Sequence, residues 1–177
     1  MAIRKRKIRA LVGLLLAEHG VTQPPVPVER LAKARGVRLH LDALEGDISG
    51  FAYRSHDQLV IGVNTSQAAV RQRFTIAHEL GHLLLHDQGR LHVDRGFVIR
   101  LRSEVSSQGT EWEEIEANRF AAELLMPEQF LREDLEGIDS IDMLDDDRIG
   151  ALAKHYDVSK QALLIRLTAL GYIDSLA

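Results

Sequence analysis

Apolar residues recur along this chain at two spacings, about 3.6 and about 2 residues, and the changes between them mark where helices give way to strands. The first run, Ala10-Leu11-Val12-Gly13-Leu14-Leu15-Leu16-Ala17, predicts a helix; Arg4, Lys5, Arg6, Lys7 and Arg9 give it a basic outer face, and Gly20 stops it. Pro24, Pro25 and Pro27 forbid helix and predict an extended bridge over residues 23–27. A short helix follows over residues 28–35, with Val28, Leu31 and Ala32 inward and Gly36 in the stop position. The spacing then falls to 2. Residues 37–41, 48–54 and 59–63 read as strands, the last two joined by a hairpin loop at residues 55–58.

Helical spacing returns at residues 73–86, an apolar run long enough to be a helix, with Asn64, Thr65 and Ser66 offering capping side chains for a turn that leads into it. Residues 87–109 are polar and rich in glycine, which predicts a long loop carrying one strand at residues 96–101. From Thr110 the pattern is helical again. Thr110 and Glu113 form a capping box, Trp112, Ile115, Ala121, Ala122, Leu124 and Leu125 are the apolar members, and Pro127 helps to end the run. Residues 139–147 are acidic and read as solvated. Residues 149–156, 157–159 and 160–170 read as helix, turn, helix, closed by Gly171.

The chemistry is concentrated in residues 73–86, which read RFTIAHELGHLLLH. Positions four apart on a helix lie on one face, so His78 and His82 can turn an imidazole nitrogen toward one cation, half of a tetrahedral zinc site. Glu79 follows the first histidine directly, which leaves its carboxylate beside a metal-bound water as a proton acceptor. Five letters with three fixed arise by accident roughly 0.03 times in such a chain. Two inward-facing histidines also need partners to offset their desolvation, and metal serves that need better than backbone in an apolar helix.

Two histidines hold zinc poorly alone, so a third ligand must come from elsewhere. Gln88 stands where a third histidine of the extended HExxHxxGxxH pattern would fall, and His86 lies two turns from His78, too far to share its ion; His86 fits an outer or helix-end role. The acidic run around residues 111–118 offers Glu113, Glu114 and Glu116. Glu114 is favoured, because Asn118, Ala121 and Leu125 continue its face inward and Asn118 can orient a ligand; Glu116 stays open as the alternative, and Glu113 shares a stripe with Glu116 and Glu123 that reads as solvated. Tyr53, His155, Tyr156 and Arg166 are candidates for stabilising a developing oxyanion. The hairpin over residues 51–63 is expected to lend an edge along which an extended substrate pairs.

Together, RFTIAHELGHLLLH and EIEANRFAAELLMP, residues 114–127, resemble the signature of the ImmA/IrrE family of zinc metallopeptidases, and the similarity runs from about residue 26 to residue 126. The resemblance implies a gluzincin-like fold, zinc held by His78, His82 and Glu114, Glu79 as the base, and as substrates XRE-type helix-turn-helix repressors, whose cleavage induces silenced genes in transcription regulation and stress response. Larger members add a sensor domain after the peptidase, for which this chain offers nothing long enough. The expected architecture is therefore α+β, a zincin-like single domain with a small antiparallel or mixed sheet packed on the motif helix. Residues 1–147 form the metallopeptidase domain with residues 26–127 as its matching core, and residues 148–177 a helix-turn-helix-like pair packed on it.

Composition narrows this reading further. The 177 residues are 45% hydrophobic and 27% charged, ordinary for a folded soluble chain. Cysteine is absent, which excludes disulfides, thiolate ligands and a thiol nucleophile and fits a reducing cytoplasmic compartment. The basic start has no small-residue cleavage site after its apolar run, so it reads as a helix and not a secretion signal, and no stretch reaches membrane-spanning length. A net charge of -4 supplies no overall attraction to nucleic acid, so direct DNA binding is not expected. The rival readings are a DNA-binding regulator using residues 149–170 with Lys154, Lys160 and Arg166, and a non-catalytic zinc-stabilised interaction protein.

Overall fold

The computed structural model describes residues 4–86, 91–94 and 108–173. Their fold is α+β, as the pattern predicts. The order is α1 (Lys5–Glu18), α2 (Val28–Ala34), β1 (Val37–Asp42), β2 (Gly50–Arg54), β3 (Leu59–Asn64), α3 (Ala69–Leu85), β4 (Leu91–Asp94), α4 (Gln108–Leu125), α5 (Glu128–Asp134), α6 (Asp146–Tyr156) and α7 (Lys160–Leu170). In α1, Ile8, Val12, Leu15 and Leu16 make one buried stripe, the spacing that lets a helix face a core. No described helix is long and apolar enough to cross a membrane.

The four strands form a mixed sheet in the order β1-β3-β2-β4. β1 and β3 are parallel, whereas β2 runs antiparallel to both β3 and β4, with Ala52 opposite Ile61 on one side and His92 on the other. The predicted hairpin is present, closed by Ser55 N–H donating to the Gln58 carbonyl at 2.8 Å. Both of its strands are interior. β3 is flanked by β1 and β2, and β2 by β3 and β4, so the hairpin does not provide the free edge expected over residues 51–63; among the described residues that edge near the motif helix is β4. The strand expected at residues 96–101 lies outside the described residues, and β4 falls within the stretch expected to be loop.

Two helix starts differ from expectation. Asn64 does not cap α3, which begins after Ala68 with no side-chain cap bond. Its buried amide instead ties the turn between β1 and β2, accepting from Leu44 N–H (3.3 Å) and Ser66 N–H (3.0 Å) and donating to the carbonyls of Leu44 (3.2 Å) and Ile48 (2.8 Å). Four bonds satisfy the side chain more fully than one cap bond would. α4 begins at Gln108, so Thr110 is inside the helix and not at its cap. Pro127 ends the run at α4, as expected, and α5 starts directly after it.

Of the stripe expected to be solvated, Glu113 is half-buried and Glu116 and Glu123 are buried. Glu116 is 5% exposed and Glu123 4%. Arginines distant in sequence cover them: Arg4 Nε donates to Glu116 Oε1 at 2.9 Å, and Arg166 Nη2 to Glu123 Oε2 at 2.7 Å. Arg166 Nε also donates to the Met126 carbonyl at 3.1 Å, fastening α7 to α4.

Two close approaches place the site. A methyl group at Gly81 would lie 3.0 Å from Phe120 Cδ1 and 3.2 Å from Ala117 Cα, so α3 and α4 touch nearly backbone to backbone at the motif. On the other side of α3, a side chain at Gly50 would strike Thr75 and the Gly62 carbonyl, so β2 lies directly against the helix and carries β4 with it.

Candidate metal centre and active site

His78 and His82 stand one turn apart on α3, buried at 3% and 4% exposure, with their Nε2 atoms 3.1 Å from each other. Glu114 reaches them from α4, Oε2 3.4 Å from His78 and Oε1 3.3 Å from His82. The three residues offer ligand atoms that all lie within 4.8 Å of one another. Asn118, one turn after Glu114, sets its Oδ1 3.1 Å from His78 Nδ1. With Nδ1–H donated to that oxygen, the Nε2 lone pair of His78 faces Glu114 and His82, the tautomer a ligating imidazole needs.

Glu79 is wholly buried and lies on the same side of α3 as the centre, its Oε2 3.1 Å from His92 Nδ1. Its other oxygen, Oε1, has no hydrogen-bond partner among the described residues, which leaves a lone pair for a water or substrate atom. The side chain of Glu114 is 41% exposed, so the centre opens to solvent on that flank.

His92 is the residue that local sequence reasoning missed. It comes from β4, and its Nε2 lies 2.7 Å from Glu114 Oε1, so one imidazole bridges the carboxylate facing both histidines and the carboxylate of Glu79. Its ring also stacks on that of His82 at 3.8 Å between centroids. A histidine in a polar stretch with no defined strand carries no positional signal. The register does: His92 pairs with Ala52, whose buried side faces α3. Asp94 enters by the same alternation and forms a second cluster with His78 and Glu79, with Arg71 3.5 Å from its carboxylate.

Charge in the site favours a cation. Burial lowers His82 to about 4, which keeps it neutral and able to ligate. Burial opposes charge on His78 and His92 as well, yet the carboxylates prevail there: Glu114 and Glu79 raise His78, and raise His92 to about 10. Burial likewise opposes the ionised form of Glu114, but the three imidazoles hold its carboxyl well below the usual range, and burial pushes Asp94 up. A divalent cation among these two nitrogens and one oxygen brings the charge that the carboxylates call for, and the donor set fits it.

The other candidates lie elsewhere. Glu116 faces Arg4, not His78 or His82. His86 terminates α3, its Nδ1 3.4 Å from Arg4 Nη2 and 3.9 Å from Glu116; its ring is 5.5 Å from that of His82, and its Nε2 has no partner among the described residues. It occupies the helix end. Tyr156 is fully buried and donates its hydroxyl to Asp134 at 2.6 Å, and His155 lies 3.6 Å from the same carboxylate. Arg166 is buried against Glu123, and Tyr53, flanked by Val60 and Leu91, lies on the face of the sheet turned from α3. None of these four reaches the centre. Of the basic residues invoked for DNA binding, Arg166 is thus consumed internally, and Lys160 pairs with Asp146 at 2.7 Å.

A helix bearing two inward histidines and a buried glutamate, crossed by a helix that supplies a carboxylate and roofed by a small mixed sheet, is an arrangement of metallopeptidase type. The chain matches the model of the IrrE N-terminal-like domain family, Peptidase_M78, over residues 32–168, and it belongs to that family. Among solved structures it is similar to a Mycobacterium tuberculosis transcriptional regulator, with a TM-score of 0.65 at 18% identity, a likeness of fold. That match covers 92% of this chain and 46% of the regulator, so the chain spans about half the regulator's length. No curated protein matches it closely enough to count as a relative.

Proposed function

We propose that the protein is a zinc-dependent endopeptidase that cleaves an XRE-type helix-turn-helix repressor. The observation that carries the reading is the convergence of His78, His82 and Glu114 from two helices, with the buried carboxylate of Glu79 beside them. Zinc bound there supplies a Lewis acid and lowers the pKa of a coordinated water toward about 7. Glu79 takes a proton from the attacking water with Oε1, which has no hydrogen-bond partner among the described residues, and returns it to the departing amine, so the peptide bond breaks without a covalent intermediate on the protein. His92 holds Glu79 and Glu114 in register, and Asn118 holds His78. The substrate lies extended along β4, the strand that carries His92 and the edge of the sheet among the described residues, with its backbone paired to that edge.

The metal and the chemistry are tested together. Metal analysis of purified protein should find one zinc per chain, lost for the most part in His78→Ala, His82→Ala and Glu114→Ala and kept in Glu116→Ala. Glu79→Gln should keep the metal and lose cleavage of a neighbouring repressor, followed by mass spectrometry. A zinc-loaded Glu79→Gln that still cleaves removes the base assignment, and full occupancy in Glu114→Ala removes the ligand assignment. Unimpaired biological function of Glu79→Gln would favour a metal site that only stabilises the fold.

A further inference from the structure

Among the described residues the sheet has a second outer strand, β1, at the end away from β4 and the metal centre. The Asp42 carbonyl accepts from Thr65 N–H at 2.9 Å, just past the end of β3, so it points toward that strand. Backbone groups alternate in direction along a strand; Arg38, His40 and Asp42 therefore turn theirs to β3, and Leu39 and Leu41 turn theirs outward. An outer strand with open N–H and carbonyl groups accepts another strand, and proteins commonly block this with proline or lysine. β1 contains neither.

Side chains alternate as well. Arg38, His40 and Asp42 are exposed on one face, while Leu39 and Leu41 follow the buried Val37 on the other, Leu39 partly covered and Leu41 56% exposed. Arg38 has no ion-pair partner among the described residues. The Asp42 carboxylate is 65% exposed, with Ala43 N–H at 2.8 Å on Oδ1 and His40 Nε2 3.7 Å from Oδ2, which leaves lone pairs for an arginine. A second copy of β1 answers both faces. Two identical strands joined about a twofold axis run antiparallel, and the residue on the axis sets their register. With His40 there, Arg38 of each copy stands opposite Asp42 of the other, and Leu39 opposite Leu41. The leucines are then the pairs that exchange backbone hydrogen bonds, and the exposed Leu41 gains an apolar neighbour. Centring on Leu39 sets Arg38 against His40 and Asp42 against Gly36, and centring on Leu41 sets Arg38 against Leu44. Charge and apolarity thus agree in the register centred on His40.

We propose that β1 is a self-association edge, through which two copies of this chain form a twofold dimer by antiparallel β1 pairing centred on His40. The sheet then continues across both copies and leaves the β4 edge of each free; the inference is independent of the peptidase reading. Analytical ultracentrifugation of the full chain over about 1–200 µM should show the mass rise from one copy to two, as a small interface gives. Leu41→Pro removes an outward N–H and keeps the bonds to β3, so it should weaken the dimer about tenfold or more. Arg38→Asp and Asp42→Arg should each do the same, because like charges then face each other across the pair. Mixing these two single variants should restore a dimer, and so should both substitutions in one chain, since opposite charges face again in either case; a variant that merely failed to fold could not be restored by mixing. A mass of one copy at every concentration overturns the proposal. So does a dimer that none of the three single substitutions weakens, or a loss that neither mixing nor the double substitution restores.

Discussion

Glu79 and Glu114 are the same kind of acid joined through one imidazole, and their neighbours differ. Glu114 meets three imidazoles and is held ionised, which suits the proposed ligand. Glu79 bonds His92 and keeps an oxygen without a hydrogen-bond partner among the described residues, which suits the proposed base. His92 touches both, so His92→Phe should loosen both while keeping the ring volume that stacks on His82. The expected cost is about 10- to 100-fold in kcat or in zinc affinity, the usual range for a group that orients a metal's ligands. Stopped-flow cleavage together with a zinc competition titration checks it. Wild-type values in both would leave His92 a packing residue.

At the scale of elements, the contact of α3 with α4 decides whether the centre assembles. Gly81 permits it, since a Cβ there already presses on the backbone of Ala117. Gly81→Val should force the helices apart, destabilise the protein by about 1–3 kcal/mol and weaken zinc binding, because Glu114 rides on α4. Thermal denaturation and the same titration read both effects, and unchanged zinc affinity would show that the helices have slack. The strand edge has its own test. A substrate peptide paired with β4 loses a hydrogen bond when one of its pairing amides is N-methylated, so KM should rise about five- to tenfold for methyl groups at alternate positions and stay level at the others. Indifference at every position removes β4 as the docking edge.

For the molecule as a whole, the acidic stretch over residues 139–147 supplies a charged surface away from the centre, with Asp139, Asp142, Asp146 and Asp147 exposed. A basic DNA-binding substrate would be drawn to it. Replacing Asp139, Asp142 and Asp147 by Asn should lower kcat/KM for the repressor several-fold at about 50 mM salt and flatten its salt dependence, since ions at about 1 M already screen charges beyond roughly 3 Å. Short neutral peptides should be cleaved equally by both proteins. A repressor whose cleavage ignores both salt and the substitutions would mean that steering plays no part. Asp146, already paired with Lys160, is left unchanged in this design.

What could be read from residues alone was what neighbours in sequence settle. His78, Glu79 and His82 share a helix turn, Glu114 and Asn118 share another, and the 3.6 and 2 spacings announce helices and strands because each element must turn one face from water. Tertiary structure decided the rest. It tied Asn64 into the turn between β1 and β2 as well, covered Glu116 and Glu123 with Arg4 and Arg166, enclosed the hairpin within the described sheet, and brought His92 between two carboxylates. Each depends on a partner tens of residues away or on strand register, and periodicity along one segment contains neither; a buried carboxylate and a solvated one look alike until the arginine that covers it is in place.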